Sequence, residues 1–152
     1  MIFRKATEND LLAIVAMIAD DELGKKRENF QLPLPDEYLT AFDNINSDEN
    51  QELIVIENKK HEVIGTLQLS FIQYLTYRGG IRAQIEAVRI RKDQRGTGVG
   101  TEMFTWAIDR ANKRGAHLLQ LTTDKKRPDA IKFYESLGFK TTHEGMKLHL
   151  HQ

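Results

Sequence analysis

One stretch constrains this chain more than any other: Arg95-Gly96-Thr97-Gly98-Val99-Gly100, three glycines set between a β-rich run and a helical one. Upstream, Ile81 to Arg91 reads as a strand with apolar Ile85, Val88 and Ile90. Downstream, Val99, Met103, Ala107, Ile108 and Ala111 recur at helical spacing until Lys113-Arg114-Gly115 stops the run with base in its last turn. Glycines at such a junction let backbone N–H groups approach and point at an anion, and the helix N-terminus adds about half a positive charge. The loop is built as a phosphate cradle. It is not a P-loop, because the string G-x-x-x-x-G-K-[ST] is absent. Nor is it a dinucleotide fingerprint, since Thr101 stands where the third glycine is required, and 152 residues leave no room for the two-half dinucleotide fold.

The rest of the chain supplies the sheet and helices around that loop. Ile2-Phe3-Arg4-Lys5 is a short strand, and Thr7-Glu8-Asn9-Asp10 resembles a capping box before Leu11, Ile14, Val15 and Ile18 on one helix face. Asp20-Asp21-Glu22 ends that helix with acid where its dipole favours base, either as a solvated helix end or as an acidic patch facing a cationic substrate. Residues 25–35 read as a loop, and a second helix runs from about Asp36 to Ile45. Glu52–Ile56 and Val63–Phe71 form a hairpin around the turn Asn58-Lys59-Lys60-His61, and Tyr77-Arg78-Gly79-Gly80 breaks the chain before the next strand. Leu118–Thr122 is a further strand. Pro128 opens a helix with Ala130, Phe133, Tyr134 and Leu137 on one face, and Gly138-Phe139 ends it. Lys140–Leu150 alternates weakly as a last strand or hairpin.

Composition removes several classes. Lys plus Arg and Asp plus Glu are 22 each, so no global field steers the protein onto nucleic acid or an anionic membrane. The longest apolar run, Leu11 to Ala19, is less than half of the about 20 residues that a spanning helix needs. The N-terminus lacks the order of a signal peptide, which places the expected location in the cytoplasm. With no cysteine, disulfides, thiolate zinc sites and cysteine nucleophiles are excluded.

The run R-x-x-G-x-G from Arg95 through Gly100 resembles the pyrophosphate loop of the GNAT superfamily of acetyl-CoA-dependent N-acetyltransferases. Ile85-Glu86-Ala87-Val88-Arg89-Ile90 before it, and Ala130-x-x-Phe133-Tyr134-x-x-Leu137-Gly138-Phe139 after it, strengthen the likeness. The resemblance implies an α/β (α+β) fold over residues 1–152 as one domain. It would have a mixed, mostly antiparallel central sheet, splayed between the strands near Ile90 and Leu118 to form the cofactor slot, with helices on both faces. It further implies that backbone groups of Val88, Arg89 and Ile90 pair with the pantetheine arm, while Arg95, Gly96, Thr97, Gly98, Val99 and Gly100 hold the pyrophosphate. Arg127 stands where the family often has Asn; with Lys125 and Lys126 it either faces a CoA phosphate or forms a solvated loop.

Transfer to an amine needs a deprotonated nucleophile, and an alkylammonium with a pKa of about 10.4 is seldom neutral near pH 7. Glu86 matches a carboxylate of small-molecule members, as base, as water-mediated base, or as ammonium anchor; the plain alternative is an exposed strand carboxylate. Glucosamine phosphate acetyltransferases show a similar Ile-Glu-Asp-Val run, but Ala87 replaces its Asp. Tyr134 occupies the family position of the acid that protonates the departing thiolate. A backbone N–H near Val88 could polarise the thioester carbonyl. His149-x-His151 reads as a fraying end rather than a metal site; His143 and Glu144 lie near the acceptor end; Phe71, Tyr74 and Tyr77 pack on the sheet or line the acceptor pocket. The expected activity is acetyl transfer from acetyl-CoA to a primary amine, more in keeping with a small molecule than with a protein or peptide. A CoA-binding regulatory module without turnover is the rival from another class. No metal, nucleic acid or membrane is expected, and a homodimer is admitted.

Overall fold

The structure is a computed structural model and describes residues 1–151. Five strands, β1 (Ile2–Lys5), β2 (Gln51–Glu57), β3 (Val63–Gln73), β4 (Ile81–Ile90) and β5 (Leu118–Gln120), form one sheet in the order β1-β2-β3-β4-β5. The first three pairings are antiparallel and β4–β5 is parallel, so the sheet is mixed and mostly antiparallel as expected. Strand β2 is buried on both sides, which explains its uninterrupted apolar run Leu53-Ile54-Val55-Ile56. Ile54 and Ile56 join one core and Val55 the other.

The larger core lies under α5 (Val99–Lys113), where Met103, Phe104 and Ala107 are fully buried against Leu67, Leu69 and Ile85. The smaller one lies under α1 (Leu11–Ile18) and α3 (Asp36–Asn46), through Leu11, Ile14 and Phe42. Helix α6 (Pro128–Ser136) shares the α5 face: the rings of Phe133, Tyr134 and the following Phe139 lie 5.7, 5.4 and 5.8 Å from that of Phe104. A single turn, α4 (Thr76–Gly79), links β3 to β4 with Tyr77 and Arg78 in the left-handed region.

Three expectations give way. Residues 25–35 are not all loop, because Asp21 accepts the Gly24 N–H at 2.6 Å and starts a short α2 (Glu22–Arg27) whose last turn carries Lys25, Lys26 and Arg27. Strand β5 stops at Gln120 instead of Thr122, since its partner leaves the ladder there. Residues 140–150 form no strand: Met146, Leu148 and Leu150 alternate but are 96, 86 and 79% exposed, and alternation alone makes no ladder without an edge to pair with.

Helix α5 is tied to β2 by a buried carboxylate. Glu52, with a side chain 2% exposed, accepts from Arg110 Nε and Nη2 at 2.8 Å each and from Arg114 Nη1 at 2.6 Å, while the Arg114 guanidinium lies 4.1 Å over the Phe71 ring. Burial pushes the Glu52 pKa up, but the hydrogen bonds and charges of the two arginines outweigh it and hold the group below its ordinary value. This stabilisation is therefore present above the unfolded carboxyl pKa and fades as pH falls through the depressed folded value.

Between Thr66 and Gln68 the β3–β4 register slips: Thr66 faces Arg89 and Gln68 faces Glu86, so Leu67 alone opposes both Ala87 and Val88. This is a β-bulge, with Ala87 at φ 52°. Its effect on side-chain direction is large. Residues three apart on a regular strand face opposite ways, yet Glu86 and Arg89 share the α1 face here, while Ile85, Val88 and Ile90 pack toward α5.

Two predictions follow from these packings. Glu52→Gln leaves two arginines without a counterion; because both are partly exposed, unfolding free energy should fall by about 2 kcal/mol in urea titrations at pH 7, with the deficit shrinking in acid. Ala87→Gly should be neutral or stabilising by up to about 1 kcal/mol, because the left-handed strain of a Cβ offsets the chain entropy of glycine; Ala83→Gly, at a buried extended position of the same strand, should cost about 1 kcal/mol or more.

Candidate active site

Strands β4 and β5 share only the rungs Arg82–Leu118, Ala83–Leu119 and Gln84–Gln120. From Ile85 onward β4 has no strand partner on that side among the described residues, and the bulge at Ala87–Val88 falls within this unpaired length. The open strand then leads directly into the glycine loop. Gly98 caps α5 from the left-handed region at φ 91°, a conformation that glycine alone adopts without strain, and a Cβ there would meet nothing within 4 Å. Gly100 serves another need: a Cβ would come within 3.2 Å of both Ile90 Cδ1 and Phe133 Cζ, so its absence lets α5, β4 and α6 close on one another. The residues of Arg95–Gly98 are exposed, with open space above the turn and the α5 N-terminus behind it.

At the acidic end of α1, Asp20 and Glu22 are exposed as in a solvated helix end, but Asp20 and Asp21 also meet arginines of the chain itself. Asp20 pairs with Arg95 Nη2 at 3.5 Å, and Asp21 pairs with Arg127 Nη2 at 2.6 Å while standing 3.8 Å from Arg89 Nη2. Asp21 thus ties the α1–α2 turn to β4 and to the start of α6. Burial raises the Asp21 pKa, but the Gly24 N–H, Arg89 and Arg127 together bring it below its ordinary value. Arg127 is accordingly held in an ion pair, whereas Lys125 and Lys126 are exposed.

Glu86 lies exposed on the α1 side of the split and accepts from Gln84 Nε2 at 3.1 Å. Tyr134 approaches from the α5 side. It is half-buried, and burial pushes its phenol above the ordinary value despite the opposing charges of Arg89 and Arg127, so the hydroxyl stays protonated well past neutral pH. Val88, Arg89 and Ile90 lie in the length of β4 beyond its rungs with β5. Sequence reasoning marked Asp21 by its acid at a helix end that prefers base, without its partners Arg89 and Arg127, and named Arg89 for its backbone, not for its guanidinium.

Other candidates fall away from the split. Phe71 is buried beneath Arg114. Tyr74 and Tyr77 gather around His117 at the closed end of the β4–β5 pair, where the Tyr74 hydroxyl and His117 Nε2 are hydrogen-bonded. His143, Glu144, His149 and His151 lie exposed in the C-terminal segment, and among the described residues no three metal-ligating side chains come together. No described helix is long and apolar enough to cross a membrane.

Comparison with known proteins agrees with this geometry. The Acetyltransferase (GNAT) family model matches residues 17–139. The chain is 33% identical over 82 residues to the aminoalkylphosphonate N-acetyltransferase of Salmonella typhimurium, covering 54% of this chain and 53% of that protein. It thus spans about half the length of that curated relative. A transcriptional regulator from Bacillus halodurans C-125 superposes with a TM-score of 0.94 at 54% identity, covering 98% of this chain and 99% of that one. Glucosamine-6-phosphate N-acetyltransferase from Arabidopsis thaliana superposes at 0.74 over 99% of this chain and 98% of its own, but at 18% identity that likeness shows the fold alone. With its family match running from α1 through the split strand and glycine loop to Phe139, the chain belongs to the GNAT acetyltransferase family.

Proposed function

We propose that the chain, acting as one cytoplasmic domain, is an N-acetyltransferase that moves an acetyl group from acetyl-CoA to a primary amine of a small molecule, with both substrates bound together. The observation that carries this reading is the unpaired length of β4 lying between Glu86 on one face and Tyr134 on the other, directly upstream of the glycine loop. The name of the 33% identical relative, an aminoalkylphosphonate N-acetyltransferase, supports a small-molecule acceptor. The open cradle fits a pyrophosphate: amides from Arg95 to Gly100 and the α5 N-terminus would hold it, and the backbone of Val88, Arg89 and Ile90, whose Val88 and Ile90 carbonyls now accept from Arg89 Nη1 and Arg95 Nε, would pair with the amide-bearing arm. Acetyl-CoA supplies the acetyl thioester.

The chain's own groups divide the remaining work by face. Glu86 anchors the incoming ammonium and accepts its proton, directly or through water, so that the nitrogen lone pair can form the new C–N bond as the C–S bond breaks. A backbone N–H at the bulge stabilises the negative charge on the carbonyl oxygen. Tyr134, on the opposite side, gives its proton to the sulfur that leaves; the newly acylated nitrogen sheds its remaining extra proton to solvent, from which the phenolate is reprotonated. Arg127 keeps Asp21 through Nη2 and can offer its remaining N–H groups to a phosphate of the bound cofactor.

The relative that shares 54% identity carries the name transcriptional regulator, which favours one second reading, a CoA-binding regulatory module without turnover. Thiol release with an amine acceptor separates the two, and binding of acetyl-CoA without release under a broad amine panel would favour the module.

For the cofactor, Gly98→Val should weaken acetyl-CoA binding at least tenfold, about 1.4 kcal/mol, through strain at a left-handed position and a side chain in the open cradle. Calorimetry on the folded variant reads this, and unchanged affinity would remove the loop from the site. For the chemistry, Tyr134→Phe deletes only the hydroxyl. Its kcat should drop by about 10²- to 10⁴-fold with acetyl-CoA affinity nearly kept, measured as thiol release at saturation. A folded variant turning over at the wild-type rate, with chemistry limiting, would return Tyr134 to the core.

A further inference from the structure

The guanidinium of Arg89 is under-satisfied in a way that the rest of the molecule does not explain. Its side chain is 15% exposed, and its Nε is buried without a hydrogen-bond partner among the described residues. Of its five N–H donors, one is used well, Nη1 to the Val88 carbonyl at 2.8 Å. The nearest carboxylate, Asp21, stands 3.8 Å from Nη2 and is already engaged by Arg127 at 2.6 Å and by the Gly24 N–H at 2.6 Å. Arg82 also has an unpartnered buried Nε, but that guanidinium lies 5.3 Å over the Tyr74 ring. Arg89 has no such aromatic face. A cation held out of water with most of its donors idle is costly unless an anion arrives.

The position of Arg89 identifies where that anion comes from. Ile90 and Val88 pack toward α5, so the Arg89 side chain leaves β4 on the face away from that core, where it meets the Asp21 that also holds Arg127. The bulge places Arg89 on the same face as Glu86. Their partners Thr66 and Gln68 are two residues apart on β3, so the two side chains are rooted about 7 Å apart. A carboxylate and a guanidinium at that separation form a complementary pair for a short molecule with an ammonium at one end and an anion at the other.

We infer that the acceptor is a zwitterionic amine, carrying a carboxylate or phosphonate a few bonds from its amino group, and that the Arg89 guanidinium binds this anion while Glu86 receives the ammonium. The inference rests on the proposed acceptor site, and it makes Arg89 a residue that selects the substrate. Asp21 fixes the fork and, by holding Arg127, leaves Arg89 the less satisfied of the two cations.

The test is a binding measurement that does not depend on turnover. The protein saturated with CoA is titrated, by chemical-shift changes, with β-alanine and 2-aminoethylphosphonate, and with propylamine as the probe that lacks an anion. Wild type should prefer either zwitterion over propylamine by about tenfold or more. Arg89→Met should erase that preference, and Arg89→Lys, which keeps the charge but loses the planar fork, should keep only part of it. No binding by either zwitterion, equal affinity for all three probes, or a preference unaltered in a folded Arg89→Met protein would each overturn the inference. So would a loss of acetyl-CoA affinity in Arg89→Met with the preference intact, since the anion would then be the cofactor's. If Arg89→Met does not fold, Arg89→Lys decides alone: an unaltered preference overturns the inference and a reduced one supports it. Selective zwitterion binding without thiol release would refute the transferase reading and leave this one standing.

Discussion

The arrangement depends on one interruption of hydrogen bonding. Strand β4 is paired with β3 on both sides of the bulge at Ala87–Val88, where two residues stand against Leu67, but with β5 only at its first rungs. A sheet ordinarily closes such a gap, because unpaired backbone N–H and C=O groups are costly when shielded from water. Here the two sides are each held to α5, one through ion pairs and one through packing. On one, β2 and α5 are locked through Glu52, Arg110 and Arg114; on the other, α6 is pinned by aromatic packing on Phe104. The exposed amides of β4 are then available to a ligand.

Charge is arranged around that gap with equal economy. A neutral chain has no long-range field to steer substrates, so its electrostatics are local. The turn after α1 places Asp20 and Asp21 against Arg95 and Arg127, two cations that would otherwise repel one another across the slot's mouth, and Arg89 shares Asp21 at longer range. Each of these pairs is partly exposed and therefore exchangeable: a phosphate or carboxylate with better geometry can replace an Asp at modest cost.

Much of this was legible in the sequence, and the exceptions have physical causes. The glycine loop, the hairpin, the long helix after the loop and the aromatic face of α6 were readable because each is encoded locally, by period and by turn residues. The splay was reached through resemblance, since no periodicity marks where a strand loses a neighbour. The bulge was invisible for a related reason: Ala87 has no turn chemistry, and its left-handed φ is imposed by the register of β3. Helix α2 was missed because its start is an Asp capping a glycine inside a charged run, and the C-terminal alternation misled because a strand needs an edge as well as a pattern. The partners of Asp21 come from residues 68 and 106 positions further along, beyond the reach of any local rule.

The order of elements along the chain also bears on how the two walls of the slot differ in durability. Strands β1 to β4 and the helices between them are complete by Ile90, so the antiparallel part of the sheet can assemble before the residues of β5 have left the ribosome. The second wall comes last and is attached by three parallel rungs and the aromatic packing of α6, with no described residue beyond Ala111 buried. It is the part of the molecule with least to lose on opening, so exchange of its amides with solvent should outpace that of β3 by orders of magnitude. A ligand that bridges both walls adds its binding free energy where the fold itself supplies least, and so holds this seam more firmly when the slot is filled.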